Sequence, residues 1–346
     1  MAVIMESIKS PNPDWASLPS DLLYLITTKL SDLLDFIGFR AVCKPWRASA
    51  PISNLPPPQF PWILDFNVSD RLRFFSLSSG KVFTFPVPPQ LNGKHLLGPQ
   101  LVGYLLFGRY HAKDMSLFNP LSRHHVLLPS FVDSWFPNYV LEQAGDYLIA
   151  SIWRCNSSRL ASYRLGDQKW NIGKERGHQL NRTCLCSNGM LFSYEWWNGG
   201  TKIVEIATDE LISVVSSPLK KTQAFFSFVE SFGDILMVAT SNYWAIYDHF
   251  FIYKLNVDFD SANQNPYWVQ TKSIGDCVLF ISGHASFSFK AGQFHGSVSN
   301  CIYFQDGSSI YRYSIEDGGR VMIPCPFDNW RVFVPSLQYL NTSSSE

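Results

Sequence analysis

The residues able to do chemistry are few, and their spacing suits none of the common reactions. His124-His125 is an adjacent imidazole pair. In an extended chain neighbouring side chains point to opposite faces, so the pair does not read as a metal site. His284 and His295 stand apart in a loop-like stretch. Seven cysteines (Cys43, Cys155, Cys184, Cys186, Cys277, Cys301 and Cys325) contain no C-x-x-C, and the close pair Cys184/Cys186 has the spacing of neither a zinc knuckle nor a disulfide. They read as free thiols of a reducing compartment. "SLSSGKV" carries Gly80-Lys81 without the rest of a phosphate-binding loop, and neither H-E-x-x-H nor G-x-S-x-G occurs. "DFDS" and "QDGSS" suit hairpin turns. The expectation is a chain with no catalytic residue, no metal and no cofactor.

Binding is then the remaining kind of function, and the elements that could carry it set the question. The 346 residues contain 28 Lys plus Arg and 28 Asp plus Glu, with no basic run. That charge balance lacks the electrostatic footprint of a nucleic-acid or anionic-membrane binder. At 46% hydrophobic and 16% charged the chain can bury a large core. "MAVIMESIKSPNPDW" lacks the apolar stretch of a signal peptide, and no apolar run approaches the ~18 residues that span a bilayer. The sequons at Asn67, Asn156, Asn181 and Asn341 therefore read as chance matches, and the expected location is the nucleus and/or the cytoplasm.

Two kinds of periodicity divide the sequence. From Leu18 to Arg47 the period is helical. Pro19, Ser20 and Asp21 mark a helix start, and Leu22, Leu23, Leu25, Ile26 and Leu30 follow as an apolar stripe. Ser31 and Asp32 mark a second start, with Leu33, Phe36, Ile37, Phe39 and Val42 as its stripe, and Gly38 costs it about 1 kcal/mol of propensity. Pro45 opens a third short helix carrying Trp46. The proline-rich "APISNLPPPQFPW" cannot continue it. A unit of some 35–40 residues is below the size that normally stabilises itself through one core. Either the rest of the chain or another protein must complete its stripes.

"LPSDLLYLITTKL" followed by "FRAVCKPWRASA" resembles the F-box, a Leu-Pro start, a helical Leu/Ile run and a [FL]-R-x-V-C-[KR]-x-W-[RK] end. Leu18, Pro19, Leu22, Leu23, Ile26, Leu30, Phe39, Arg40, Val42, Cys43, Lys44, Trp46 and Arg47 match. The resemblance implies that the helices dock a Skp-type adaptor, which links the chain to a cullin–RING ubiquitin ligase. It further implies that Leu18, Pro19, Leu22, Leu23, Ile26, Phe39, Val42 and Trp46 engage or shape the adaptor site.

Behind the linker the helical period vanishes and a repeat begins, with a glycine, a short apolar run, a polar hairpin and an aromatic-centred strand in each unit. Gly103, Gly145, Gly189, Gly233 and Gly275 mark it at intervals of 42, 44, 44 and 42. A period of about 40–45 with several short strands is the signature of β-propeller blades. Six blades are expected, and a seventh if the out-of-phase hairpin "NCIYFQDGSSIYRYSI" is one of its own. "WRVFVPSLQYL", near the C-terminus, is the expected closing segment. The expected fold is mainly β, with a three-helix F-box at 14–50, a linker at 51–61, a kelch-like propeller at 62–340 and a disordered tail at 341–346.

"LFNPLSRHHVLLP", "FVESFGDILMVAT", "FFIYKLN", "WVQTKSIGDCVLFISGHASFSFKA", "NCIYFQDG" and "YSIEDG" resemble, in order and spacing, the plant F-box family with a KIB-type propeller. The resemblance implies a non-catalytic receptor in a Skp–cullin–F-box ligase, its propeller holding an unidentified protein target. The alternative is a propeller binding protein whose F-box acts outside a ligase. Aromatic and Arg side chains dominate interface hot spots, which singles out Trp153 with Arg154, Trp196-Trp197 and Tyr243-Trp244 as candidate target contacts.

Overall fold

Helix-forming and strand-forming periodicities segregate into two compact units, residues 1–59 and 60–346. The structure is a computed structural model. It describes residues 15–56, 60–67, 70–109, 114–130, 136–144, 147–154, 157–174, 184–195, 199–220, 224–241, 249–257, 265–281, 286–293 and 297–337.

The first unit holds α1 (Ser20–Thr27), α2 (Leu33–Val42) and α3 (Lys44–Ala48). α1 starts at Pro19, whose carbonyl accepts from the amides of Leu22 and Leu23. Asp21 in its first turn suits the positive end of the helix dipole. α2 starts on Asp32, whose carboxylate accepts from the amides of Leu34 and Asp35 at 2.7 and 3.3 Å. Two amides that the helix leaves unpaired are thereby satisfied. Pro45 stands at the start of α3, where its missing N–H costs nothing.

The second unit is a six-bladed propeller. Blade 1 combines β1 (Trp62–Asp65), β2 (Arg71–Ser76) and β3 (Val82–Pro86) with the last strand of the chain, β25 (Trp330–Phe333). Blade 2 is β4 (His95–Leu101), β5 (Tyr104–Gly108), β6 (Ser116–Phe118) and β7 (His125–Leu127). Blade 3 is β8 (Phe136–Ala144), β9 (Tyr147–Arg154), β10 (Ser157–Arg164) and β11 (Asn171–Ile172). Blade 4 is β12 (Cys184–Ser187), β13 (Met190–Glu195), β14 (Gly200–Glu205) and β15 (Glu210–Ser216). Blade 5 is β16 (Ala224–Ser231), β17 (Asp234–Thr240), β18 (Phe250–Asn256) and β19 (Tyr267–Thr271). Blade 6 has five strands, β20 (Cys277–Ile281), β21 (Ser286–Lys290), β22 (Cys301–Asp306), β23 (Ser309–Ser314) and β24 (Arg320–Ile323).

β25, β4, β8, β12, β16 and β21 are the inner strands, and each from β25 to β21 touches the next in that order. Second strands such as β5 and β20 are buried along their whole length, while outer strands such as β3 alternate exposed and half-buried residues. This is why the sequence shows continuous apolar runs at one position of the repeat and polar mixtures at another. Aromatic side chains fill the wedges between blades. Tyr194 stacks on Phe225 at 4.5 Å between blades 4 and 5, and Phe280 stacks on Tyr303 at 4.6 Å in the cluster that joins blade 6 to Trp330 and Val332 of blade 1.

The out-of-phase hairpin is not a seventh blade. β20 pairs antiparallel with β21 on its inner side and parallel with β22 on its outer side. The chain therefore runs inward from β20 to β21 and then crosses back over β20 to reach β22. One extra strand in blade 6 shifts the repeat without adding a blade.

The ring closes where β25 lies antiparallel to β1, with Trp62 opposite Phe333 and Asp65 opposite Trp330. The chain beyond β25 fastens blade 1 to blade 2. The amide of Gly103 donates to the Val334 carbonyl at 2.7 Å, and Asn119 Nδ2 donates to the Ser336 carbonyl at 2.8 Å. Gly103 has φ +80°, and a Cβ there would stand 2.9 Å from Ser336 Cβ. Glycine is required at that turn both for its backbone conformation and for the space.

Candidate functional site

The helical unit divides its apolar residues between an interior and an open face. In α1, Leu23 (1% exposed) and Thr27 are buried, together with Leu33, Phe36 and Phe39 of α2. Leu22 (48%), Leu25 (57%) and Ile26 (41%) face outward at helical spacing, and Val42 (57%) at the end of α2 is exposed too. Trp15 and Tyr24 are further exposed large side chains of this unit. An open apolar set of this size on α1 and at the end of α2 is the pattern of a surface meant to be covered. Full burial of each such side chain is worth about 1.5–3 kcal/mol, against about 0–1 kcal/mol for a surface ion pair. Association through this face would be hydrophobic and only weakly sensitive to salt.

Three of the residues expected to engage or shape the adaptor site lie away from that face. Leu23 and Phe39 are buried and offer a partner nothing directly. α1 carries more apolar residues than one face can hold, so its stripe splits, Leu23 turning inward and Leu22, Leu25 and Ile26 outward. Trp46 is half-buried, packs its ring 4.5 Å from Phe39 and donates from Nε1 to the Trp15 carbonyl at 3.0 Å. These three shape the unit. Arg40 and Arg47 do the same, because the Arg40 guanidinium donates to the Ala50 carbonyl and Arg47 Nε to the Arg40 carbonyl. The first bond ties α2 to the segment after α3, and the second satisfies a carbonyl that the end of α2 leaves open. Leu18 is half-buried and Pro19 exposed at the start of α1, beside the open face. Trp15 had no place in the sequence reading, since it precedes the first recognisable helix start.

Of the candidate target contacts, Trp196, Trp197, Tyr243 and Trp244 lie outside the described residues. Trp153 and Arg154 end β9, and their side chains likewise lie outside what is described. The His124-His125 pair is pulled apart. His124 Nδ1 and the Tyr104 hydroxyl share a 2.7 Å hydrogen bond, and burial lowers the His124 pKa. His125 Nε2 is buried on its own. Among the described residues no group of three His, Cys, Asp or Glu side chains is placed to hold a metal ion.

The propeller settles the relationship. Residues 74–328 match the family described as the KIB1-4 beta-propeller. The chain belongs to that family. Curated relatives of this chain are plant F-box proteins. F-box protein SKIP23 of Arabidopsis thaliana is 26% identical, the match covering 86% of this chain and 83% of that one. F-box protein At2g17036, also of Arabidopsis thaliana, is 22% identical over 89% of this chain and 86% of that one. Among solved structures, an oligogalacturonate lyase in complex with manganese has a TM-score of 0.44 and 8% identity, covering 72% of this chain and 69% of that one. A likeness that distant says nothing about activity. This KIB1-4 propeller chain is thus similar over most of its length to plant F-box proteins, and it carries three helices ahead of the propeller.

Proposed function

We propose that this chain is the target-recognition subunit of a Skp–cullin–F-box ubiquitin ligase, acting in the nucleus or cytoplasm. The observation that carries the reading is the open face of Leu22, Leu25, Ile26 and Val42 in a unit whose sequence matches the F-box motif. A Skp-type adaptor covers this face, a helix-in-groove mode of recognition. The propeller holds a protein target, and the mechanism is proximity. Keeping the target beside a charged ubiquitin-conjugating enzyme raises the effective concentration of its lysines without chemistry by this chain.

The test is co-purification with a recombinant Skp-type adaptor. The double variant Leu22→Asp/Ile26→Asp should lose the adaptor by at least about 100-fold, since two side chains each worth about 1.5–3 kcal/mol are replaced by charges. Both positions are exposed, so its unfolding temperature should stay at the wild-type value. Equal adaptor retention by wild type and variant, or none by either, overturns the reading.

A further inference from the structure

The outermost strand of each blade has one side without a ladder, and such an edge pairs with other chains unless something blunts it. Five of the six outer strands described are blunted. β7 and β11 are only three and two residues long. β3 follows Lys81 and ends on Pro86, β19 stands between Pro266 and Lys272, and β24 starts on Arg320 and is followed by Pro324. β15 is the exception. Its seven residues, "ELISVVS", make it longer than any other outer strand, and they include neither a proline nor a basic residue. Among the described residues β14 is its one strand partner.

The side chains of β15 suit a strand laid beside it. Val215 is buried in the wedge between blades 4 and 5, while Leu211 (54% exposed), Ile212 (46%) and Val214 (54%) are open. Among the described residues no other propeller strand has three open apolar side chains. A bulge brings Leu211 and Ile212 out together. Ser213 faces Ile203 and Leu211 faces Val204, which leaves Ile212 as an extra residue without a partner on β14. β19 touches β15 and adds Tyr267 and Val269, both about half exposed, to the same rim. Concentrated apolar surface of this kind marks a contact area.

We propose that β15 is a self-association edge at which two copies of this chain pair antiparallel, with Val214 of one copy opposite Val214 of the other across a two-fold axis. Three features select a second copy as the occupant. An outer edge presents a row of backbone donors and acceptors, which a strand completes and a small ligand does not. The strand also complements itself. Residues 213–216, beyond the bulge, pair regularly with β14, and Val214 is the one open apolar side chain among them. Turned antiparallel about Val214, the strand sets Ser213 against Val215 and Ile212 against Ser216. Glu210 falls outside that ladder, so no charge meets its like. Finally, the 28 basic and 28 acidic residues of the chain cancel, and two copies approach without net repulsion. Identical edges related by a two-fold axis close the assembly at two subunits. The surface belongs to the propeller, and the inference does not depend on the ligase reading.

The probe is the purified full chain itself, followed by sedimentation equilibrium and by amide hydrogen exchange at low and high protein concentration. The wild type should pass from one copy to two as concentration rises, and the amides of β15 should then exchange more slowly while those of β3 do not change. Val214→Lys sets two ammonium groups against each other and installs the kind of protection that other outer strands carry. It should weaken the dimer by at least about tenfold. Its circular dichroism should match the wild type, because the position is exposed. Leu22→Asp/Ile26→Asp, on the helical unit, should dimerise as the wild type does. Loss of the dimer in that variant would place the contact on the helices and overturn the inference. A wild type that remains a single copy at every concentration overturns it, as does a folded Val214→Lys chain that dimerises unchanged. So does a dimer whose β15 amides exchange as fast as those of the single copy, a reading made on the wild type alone and therefore independent of how the variant folds.

Discussion

Asn119 shows what single side chains do in this propeller. It is fully buried, and each polar atom of its amide is used. Its Oδ1 accepts from the amides of Leu121 and Ser122 at 2.9 and 3.1 Å, which folds the "NPLS" turn, while Nδ2 holds the Ser336 carbonyl. Asn119→Ala removes the acceptor of the buried Leu121 amide and of the half-buried Ser122 amide and the donor to the Ser336 carbonyl, so a loss of about 2–3 kcal/mol is expected in urea unfolding of the full chain. Asn119→Asp keeps the acceptor but buries a carboxylate against the Ser336 carbonyl, and should cost no less. Nothing in the sequence pointed to this bond, because its partner is a backbone carbonyl more than two hundred residues away.

Elements were easier to read than side-chain directions. The start of α2 at Asp32, the break at Pro45 and the glycine turns at Gly103, Gly189 and Gly233 follow from local chemistry, and the structure places each of them where that chemistry requires. Asp32→Ala removes a cap worth about 1 kcal/mol. In the full chain this should appear as faster amide hydrogen exchange in α2, with the exchange of the propeller strands unchanged. Direction within an element was less legible. A helix as apolar as α1 admits more than one choice of inner face, which is how Leu23 came to be grouped with Leu22 and Ile26. Blade 6 misled for a related reason. A strand that pairs in parallel with its neighbour carries the same apolar pattern as one that pairs antiparallel, so β20 and β22 read as two separate blades.

At the scale of the molecule the propeller depends on a joint made by the two ends of its own chain. Trp330, almost fully buried, donates from Nε1 to the Ser308 carbonyl at 2.7 Å and belongs to the cluster shared by blades 6 and 1. Trp330→Ala should destabilise the propeller by about 3–5 kcal/mol, read as a lowered urea midpoint in tryptophan or circular-dichroism unfolding. The proposed adaptor interaction of the helical unit should survive the change at temperatures where the variant remains folded. Retention of the wild-type midpoint would mean that the joint contributes little to ring stability.

That joint also fixes an order of events at the ribosome. Blade 1 receives its inner strand only after Phe333 has been synthesised, so β1 waits with an unpaired apolar edge while the other five blades emerge. The helical unit leaves the tunnel first. Nascent chains therefore present the exposed apolar residues of α1 before the ring is complete, and a chain truncated ahead of Trp330 would keep an open rim prone to aggregation.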